Sequence, residues 1–209
     1  YLCNSSNKEK EVSDYEESSK AYYEGLAFGP SDKTRTIASK YPAWAYAYAL
    51  DVDKGFHEVT RAGACKDPSM AHHYALDIDK GPHNLTREAA CTSPTYALKY
   101  ARYVDKGPQD STRAAVCEDP WFAYQYAIDV DKQPRDDTWK AVCKSMDKNT
   151  VRTYEKFRNE FEKQATNSTN KEIRQIQERL LSLEKTVLDL QSLINHACNI
   201  IKADLEQIK

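Results

Sequence analysis

Residues 79–91 read Asp79-Lys80-Gly81-Pro82-His83-Asn84-Leu85-Thr86-Arg87-Glu88-Ala89-Ala90-Cys91, and this string returns in outline every 26 residues. Asp53-Lys54, Asp105-Lys106 and Asp131-Lys132 repeat its opening. Thr34, Thr60, Thr112 and Thr138 fall in register with Thr86, and Arg35, Arg61 and Arg113 with Arg87; Trp139 breaks the arginine series. Pro42, Pro68, Pro94 and Pro120 hold a further column. A fixed period without insertions is the signature of stacked supersecondary units. Each such unit buries its apolar face only against its neighbours.

Every unit predicts two short helices. The first opens at Gly-Pro, as at Gly81-Pro82 and Gly107-Pro108, because proline suits a first helical position. Two residues on comes an acid or its amide (Asp32, Glu58, Asn84, Asp110, Asp136), which complements the helix dipole. That helix runs through Thr-Arg and stops near Thr92 or its equivalents. The second opens on a cap followed by proline: Asp67-Pro68, Ser93-Pro94, Asp119-Pro120. Its inner face takes Ala97, Tyr100, Ala101 and Val104 in one unit and Ala123, Tyr126, Ala127 and Val130 in the next, at helical spacing. Five such units follow one another. Residues 14–30 read as a lone second helix, with Asp14 as its cap and Tyr22 and Leu26 in the columns of Tyr48 and Val52. Residues 150–164, with Val151, Tyr154, Phe157 and Phe161 on one side, read as the cap at the other end.

Beyond the polar stretch Thr166-Asn167-Ser168-Thr169-Asn170, read as a break, a heptad begins. Its a positions are Ile173, Leu180, Val187, Ile194, Ile201 and Ile208; its d positions are Ile176, Leu183, Leu190 and Ala197, before Asp204 ends the seam. Branched residues at a with Leu at d favour a parallel dimer, while Leu193, Ile200 and Leu205 widen the seam toward a trimer. Packing onto a different protein is the third option. The fold class expected is all-α: a tandem-repeat solenoid of short helix-turn-helix units followed by a C-terminal coiled coil. Its parts are an N-terminal segment and capping helix (1–28), the solenoid (29–146), a second capping helix (147–165) and the stalk (171–209).

The chemistry looked for is absent from the motifs. A formal charge of -2 offers no basic face for nucleic acid. No run approaches the roughly 20 apolar residues of a membrane span. The N-terminus has no apolar leader and no initiator Met, which reads either as a start inside a longer gene product or as removal of a leading segment. Neither glycine-rich phosphate loops, nor HExxH, nor a nucleophile elbow occurs, and no cofactor is expected. Cys65, Cys91, Cys117 and Cys143 share one column, filled by Ser39 in the first unit. Equivalent atoms of stacked helices lie about 8–10 Å apart, too far for disulfides; small buried residues are expected there, with zinc ligation the weaker alternative. The arginine column reads either as a ladder for acidic peptides or phosphates or as inter-repeat ion pairs with Asp53, Asp79, Asp105 and Asp131. His72-His73 stands where other units hold Tyr46-Ala47, Leu98-Lys99 and Tyr124-Gln125, and reads as drift in a variable column. Of the sequons at Asn4, Asn84 and Asn167, Asn84 is explained by its place in a first helical turn.

The pattern from Asp79 to Cys91 resembles tandem helical repeats of uncharacterised proteins of large tailed bacteriophages, over about residues 25–146. That resemblance implies a place in the virion or in the cytoplasm of the infected bacterium. It brings no catalytic residues with it. The functional expectation is a non-enzymatic scaffold, oligomerised by its coiled coil and docking a protein through its repeats, as a virion-associated component. A phage effector that blocks a host protein along the concave face of the solenoid is the alternative, and an enzyme with repeat-specific groups the third. Candidate partner contacts are Trp139, which replaces the column arginine, Trp121, against Ala43, Ser69 and Thr95 in its column, and Trp44, whose column of Met70, Tyr96 and Phe122 reads as core. For Trp139, packing against the capping helix with Phe157 is the rival reading.

Overall fold

A computed structural model describes the backbone of residues 5–145 and 147–207, and the side chains of 12–145, 147–194 and 196. It is all-helical over the described residues, with short helices packed in tandem. The chain divides into two compact units, residues 1–158 and 159–209.

The first unit opens with α1 (Ser5–Phe28). Helix pairs follow: α2 (Asp32–Ala38) with α3 (Pro42–Ala47), α4 (Glu58–Ala64) with α5 (Pro68–His73), α6 (Asn84–Ala90) with α7 (Pro94–Tyr100), and α8 (Asp110–Val116) with α9 (Pro120–Tyr126). The last pair is α10 (Asp136–Cys143) and the start of α11 (Lys148–Gln207). Each second helix packs chiefly on the first helix of the next pair. Helices this short are marginal alone.

The proline of Gly-Pro does not open the first helix. The helix starts two residues later, on the column acid, and Pro82 and Pro108 lie in the extended link before the cap. The caps are Ser31, His57, His83, Gln109 and Arg135, all in extended backbone. The ring Nδ1 of His57 and of His83 accepts the amide two residues on, at 3.2 Å in both. The second helices do begin as the cap-proline pattern expects; Asp67 Oδ1 accepts Met70 N at 2.9 Å and Asp119 Oδ1 accepts Trp121 N at 2.9 Å.

One tyrosine per pair joins its two helices. Tyr100 is fully buried, and its hydroxyl accepts the amide of His83 at 3.0 Å and shares a hydrogen bond with Thr86 Oγ1 at 2.8 Å. Tyr48 with Thr34 and Ser31, Tyr74 with Thr60 and His57, and Tyr126 with Thr112 and Gln109 repeat the arrangement. Tyr154 repeats it with Thr138 and Arg135, although it stands 16 residues from its threonine where the others stand 14. The start of α11 is therefore the second helix of the fifth pair, displaced by a longer link. Around each ring, alanines supply the space: Ala45, Ala49 and Ala64 surround Tyr74, and Ala75 and Ala90 meet Tyr100.

α1 is out of step in the opposite sense. Its inner residues are Ser18, Ala21 and Gly25; a Cβ on Gly25 would lie 2.7 Å from the Tyr48 ring. Tyr22 pairs with Asp51 as Tyr46 pairs with Asp77, but over 29 residues instead of 31. Tyr22 thus matches Tyr46, not Tyr48, and Leu26 is exposed, not buried in the column of Val52. The cause is the shorter link: α1 ends on Gly29 at φ 90° without the extra turn that closes the other second helices.

That extra turn is π-helical: Tyr48–Val52, Tyr74–Ile78, Ala101–Asp105 and Ala127–Asp131. In an α-helix residues five apart diverge by about 140°. Widening the turn swings Asp53 back to the side of Tyr48, so both face the first helix of their own pair. The left-handed residue that ends each turn is Lys54, Lys80, Lys106 or Lys132, at φ 53–57°. The following glycine is not left-handed, which is why Gln133 can replace Gly55, Gly81 and Gly107 in that column.

The second unit is the remainder of α11. It is helical through 166–170 as well, so the expected break is absent; Thr166 Oγ1 bonds back to Glu162 O at 2.9 Å and Thr169 Oγ1 to Ala165 O at 3.0 Å, which satisfies both hydroxyls within the helix.

Replacing Tyr100 by Phe strands the His83 amide in the core and should lower stability by about 1–3 kcal/mol. Urea unfolding checks it against Tyr103→Phe, at an exposed ring, which should shift the midpoint little; equal effects would contradict the role given to the buried hydroxyl.

Candidate interaction surfaces

The arginine column is committed within each pair. Arg113 Nε lies 3.1 Å from Asp131 Oδ2, its Nη2 2.7 Å from Asp131 Oδ1, and its Nη1 2.7 Å from Asp110. Arg35 engages Asp53 and Asp32 in the same way, and Arg87 engages Asp105 and Asn84. Arg61 engages Asp79. Each guanidinium also lies over its tyrosine ring, 5.7–6.0 Å from the centroid. The fork geometry is that of bidentate carboxylate recognition. Hydrogen bonding to the aspartate raises the arginine pKa against the opposing effect of burial. The partners expected across repeats are in fact within one repeat, because the π turn returns each aspartate to its own first helix. The Nε–Nη2 edge of each fork, the edge an acidic ligand would take in an anion ladder, is occupied by the aspartate of its own pair.

What joins one pair to the next on the second helices is a set of rungs that the sequence reading missed. Tyr22 donates to Asp51 and Tyr46 to Asp77, each at 2.8 Å. Burial, with the carboxylate beside it, pushes both phenols up to about 12. Arg102 meets Asp129 and donates to Gln125 at 2.8 Å. The remaining rung is His72 with Tyr103, rings 6.5 Å apart and edge-on. Here the column has exchanged tyrosine for histidine and the acid for tyrosine together, which is the signal, visible in the sequence, that the two columns touch.

His72 is buried, at 4% exposure, and neither ring nitrogen has a hydrogen-bond partner. Burial lowers its pKa to about 4; His73 and Lys99 lower it further and Asp77 opposes them. His73 Nδ1 lies 3.8 Å from Asp77. The doublet is therefore split, one ring inside and one at the surface, and the structure gives it no metal-ligand cluster among the described residues.

Four of the six cysteines are described, all as free thiols. Cys65, Cys91 and Cys117 are half-buried and Cys143 is exposed, so full burial, the expectation, is not what the column provides. Its place at the end of the first helix, beside the loop, explains the partial access. Burial pushes the Cys65 and Cys117 thiols up to about 11 and raises that of Cys91, which keeps them protonated and poorly nucleophilic at neutral pH.

The tryptophans have three different settings. Trp44 is half-buried among Tyr15, Tyr22 and Tyr23, 5.1–6.1 Å between centroids. Trp139 lies 5.4 Å from Tyr154, with the Arg158 guanidinium 5.7 Å above its ring, and Phe157 belongs to the same cluster. Trp121 is exposed at 52%, beside Tyr124. A groove of about 960 Å³ along α1 is lined by Asp14, Tyr15, Lys40, Tyr41, Lys66 and Met70. Its lysines are already bonded, Lys40 to Glu17 at 2.6 Å and Lys66 to Ser39 O at 2.9 Å.

In the second unit the heptad residues share one exposed face of the helix. Ile173, Ile176, Leu180, Leu183, Val187, Leu190 and Ile194 are 46–62% exposed. Leu181 and Leu188, outside the a and d positions and overlooked in the heptad reading, are also exposed. The side chains of Ala197 and Ile201, and Ile208 altogether, lie outside the described residues, as does Asn4. No described helix is long and apolar enough to cross a membrane. No family model, curated protein or solved structure matches the chain.

The folded chain keeps His72 neutral down to about pH 4, whereas an unfolded histidine protonates near 6.5. Between these values the unfolded state binds more protons, so the stability present above pH 6.5 falls as pH drops toward 4. His72→Leu, the residue its column holds at Leu98, should remove about 1–3 kcal/mol of that pH dependence. Denaturant melts of both proteins at pH 7.5 and 4.5 check this; parallel losses in the two would refute it.

Proposed function

We propose that the chain is a non-enzymatic scaffold: residues 171–209 join copies of it as a coiled coil, dimer or trimer, and the tandem repeats dock a protein partner. One observation carries the reading. Seven branched apolar side chains at heptad spacing lie exposed on one helix, an arrangement that in water calls for partner helices. The docking role rests on the repeats themselves, whose arginine column is paired within each repeat and whose surface varies between pairs, with Trp121 exposed on it and Trp44 and Trp139 more enclosed. The likeness of the repeat string to proteins of large tailed phages supports a virion-associated component as the setting.

Light scattering of the full chain should give a mass of two or three times 23.9 kDa. Leu183→Lys with Leu190→Lys should weaken association by more than about 100-fold, with unfolding of the repeats unchanged. A wild-type monomer at micromolar concentration would sink the oligomeric half of the proposal. The docking half is checked by mass spectrometry of purified particles; the chain's absence from them would remove the virion setting.

A further inference from the structure

We infer that the copies joined through this helix run parallel and in register, with Arg179 of each chain set against Glu184 of the other. The inference rests on the self-association proposed above and adds its direction. The argument starts from which charges on the helix already have a partner. Arg174 has Glu178 four residues on, and Lys185 has Asp189, the spacing at which opposite charges meet on one helix face. Arg179 has only Gln175, Ile176, Ser182 and Leu183 at three and four residues, and Glu184 has Leu180, Leu181, Val187 and Leu188. Both are exposed, and five residues apart on one α-helix they point about 140° from each other. Neither finds an opposite charge on its own helix.

They occupy the two positions that flank the seam. With Ile173, Leu180, Val187 and Ile194 at a, Arg179 is at g and Glu184 at the following e. In a parallel, in-register pair each g residue faces the next e residue of the other chain. Arg179 then meets Glu184 twice by symmetry, Glu172 meets Gln177 and Thr186 meets Gln191, with no like charges opposed. In the antiparallel alignment that pairs a with d from Ile173 to Leu190, six of the seven seam residues, g faces g and e faces e. That alignment places Arg179 against Thr186, Gln177 against Glu184, and the Glu172 carboxylate against Leu193, and it makes no ion pair. A second copy running in the same direction is the occupant that the charges fit, and it brings both chains into the stalk at the same end. The repeats of two copies are then presented together, which raises the effective concentration of any docking site they carry.

Charge reversal in the full chain tests the direction. Arg179→Glu opposes two carboxylates across each side of a parallel pair, and Glu184→Arg opposes two guanidinium groups. Each should weaken self-association about threefold to tenfold at low salt, and the double reversal in one chain should restore it. An equimolar mixture of the two single variants should form mixed pairs in preference to either alone, an excess lost at 1 M salt. Sedimentation equilibrium reads the constants, and differently tagged chains read the mixing. Oligomers that stay intact but show neither weakening nor preferential mixing would overturn the parallel register while leaving self-association standing. A monomeric wild type would overturn the self-association itself.

Discussion

The repeat domain depends on a phenol hydroxyl placed at the start of a short helix. A seven-residue helix leaves most of its first amides without partners, and in each pair the residue that caps this end is held from outside by the tyrosine of the second helix. The hydroxyl takes the cap amide and shares a hydrogen bond with the threonine one turn in, while the ring fills the space left by alanines of its own first helix and of the preceding pair. Polar satisfaction and packing are thus served by one side chain, and burial without its hydroxyl would leave an amide with no partner. The same contact survives where the period slips, at Tyr154, which identifies it as the element the fold conserves when link lengths change.

The arginine and aspartate columns serve the same joint. Closing the second helix with a π turn brings the aspartate round to the arginine of its own first helix, and the guanidinium lies over the tyrosine ring. Each pair closes its own arginine–aspartate–tyrosine contacts, and neighbouring pairs meet through apolar packing, a variable rung between second helices and, at Lys66, a bond to the Ser39 carbonyl of the preceding pair. Those rungs are where the pairs differ: tyrosine with aspartate twice, arginine with aspartate once, histidine with tyrosine once. The constant chemistry of the pairs is internal, and their variation lies along one row of helices.

Much of this was legible in the sequence, and the gaps have physical causes. The period, the number of pairs, the cap-proline starts and the alanine–tyrosine faces followed from residue spacing, since helix faces are set by 3.6-residue geometry. The π turns were not legible, because a spacing rule with one period cannot register a turn of another. From that single omission followed the assignment of the ion pairs to neighbouring repeats. The displaced registers of α1 and Tyr154 escaped for a related reason: column matching assumes links of constant length, and the first link is shorter and the last longer.

The sequence by itself determined that this chain is a tandem array of short helices followed by a long helix with apolar residues at heptad spacing. Both facts are periodicities, and a periodicity is carried by residue order alone. Only the tertiary structure decided that each arginine pairs with the aspartate of its own repeat, that His72 is inside and His73 outside, and that Trp139 packs against the Tyr154 ring. Those depend on which atoms meet across helices, and a difference of one residue in a turn reverses the side from which a side chain approaches.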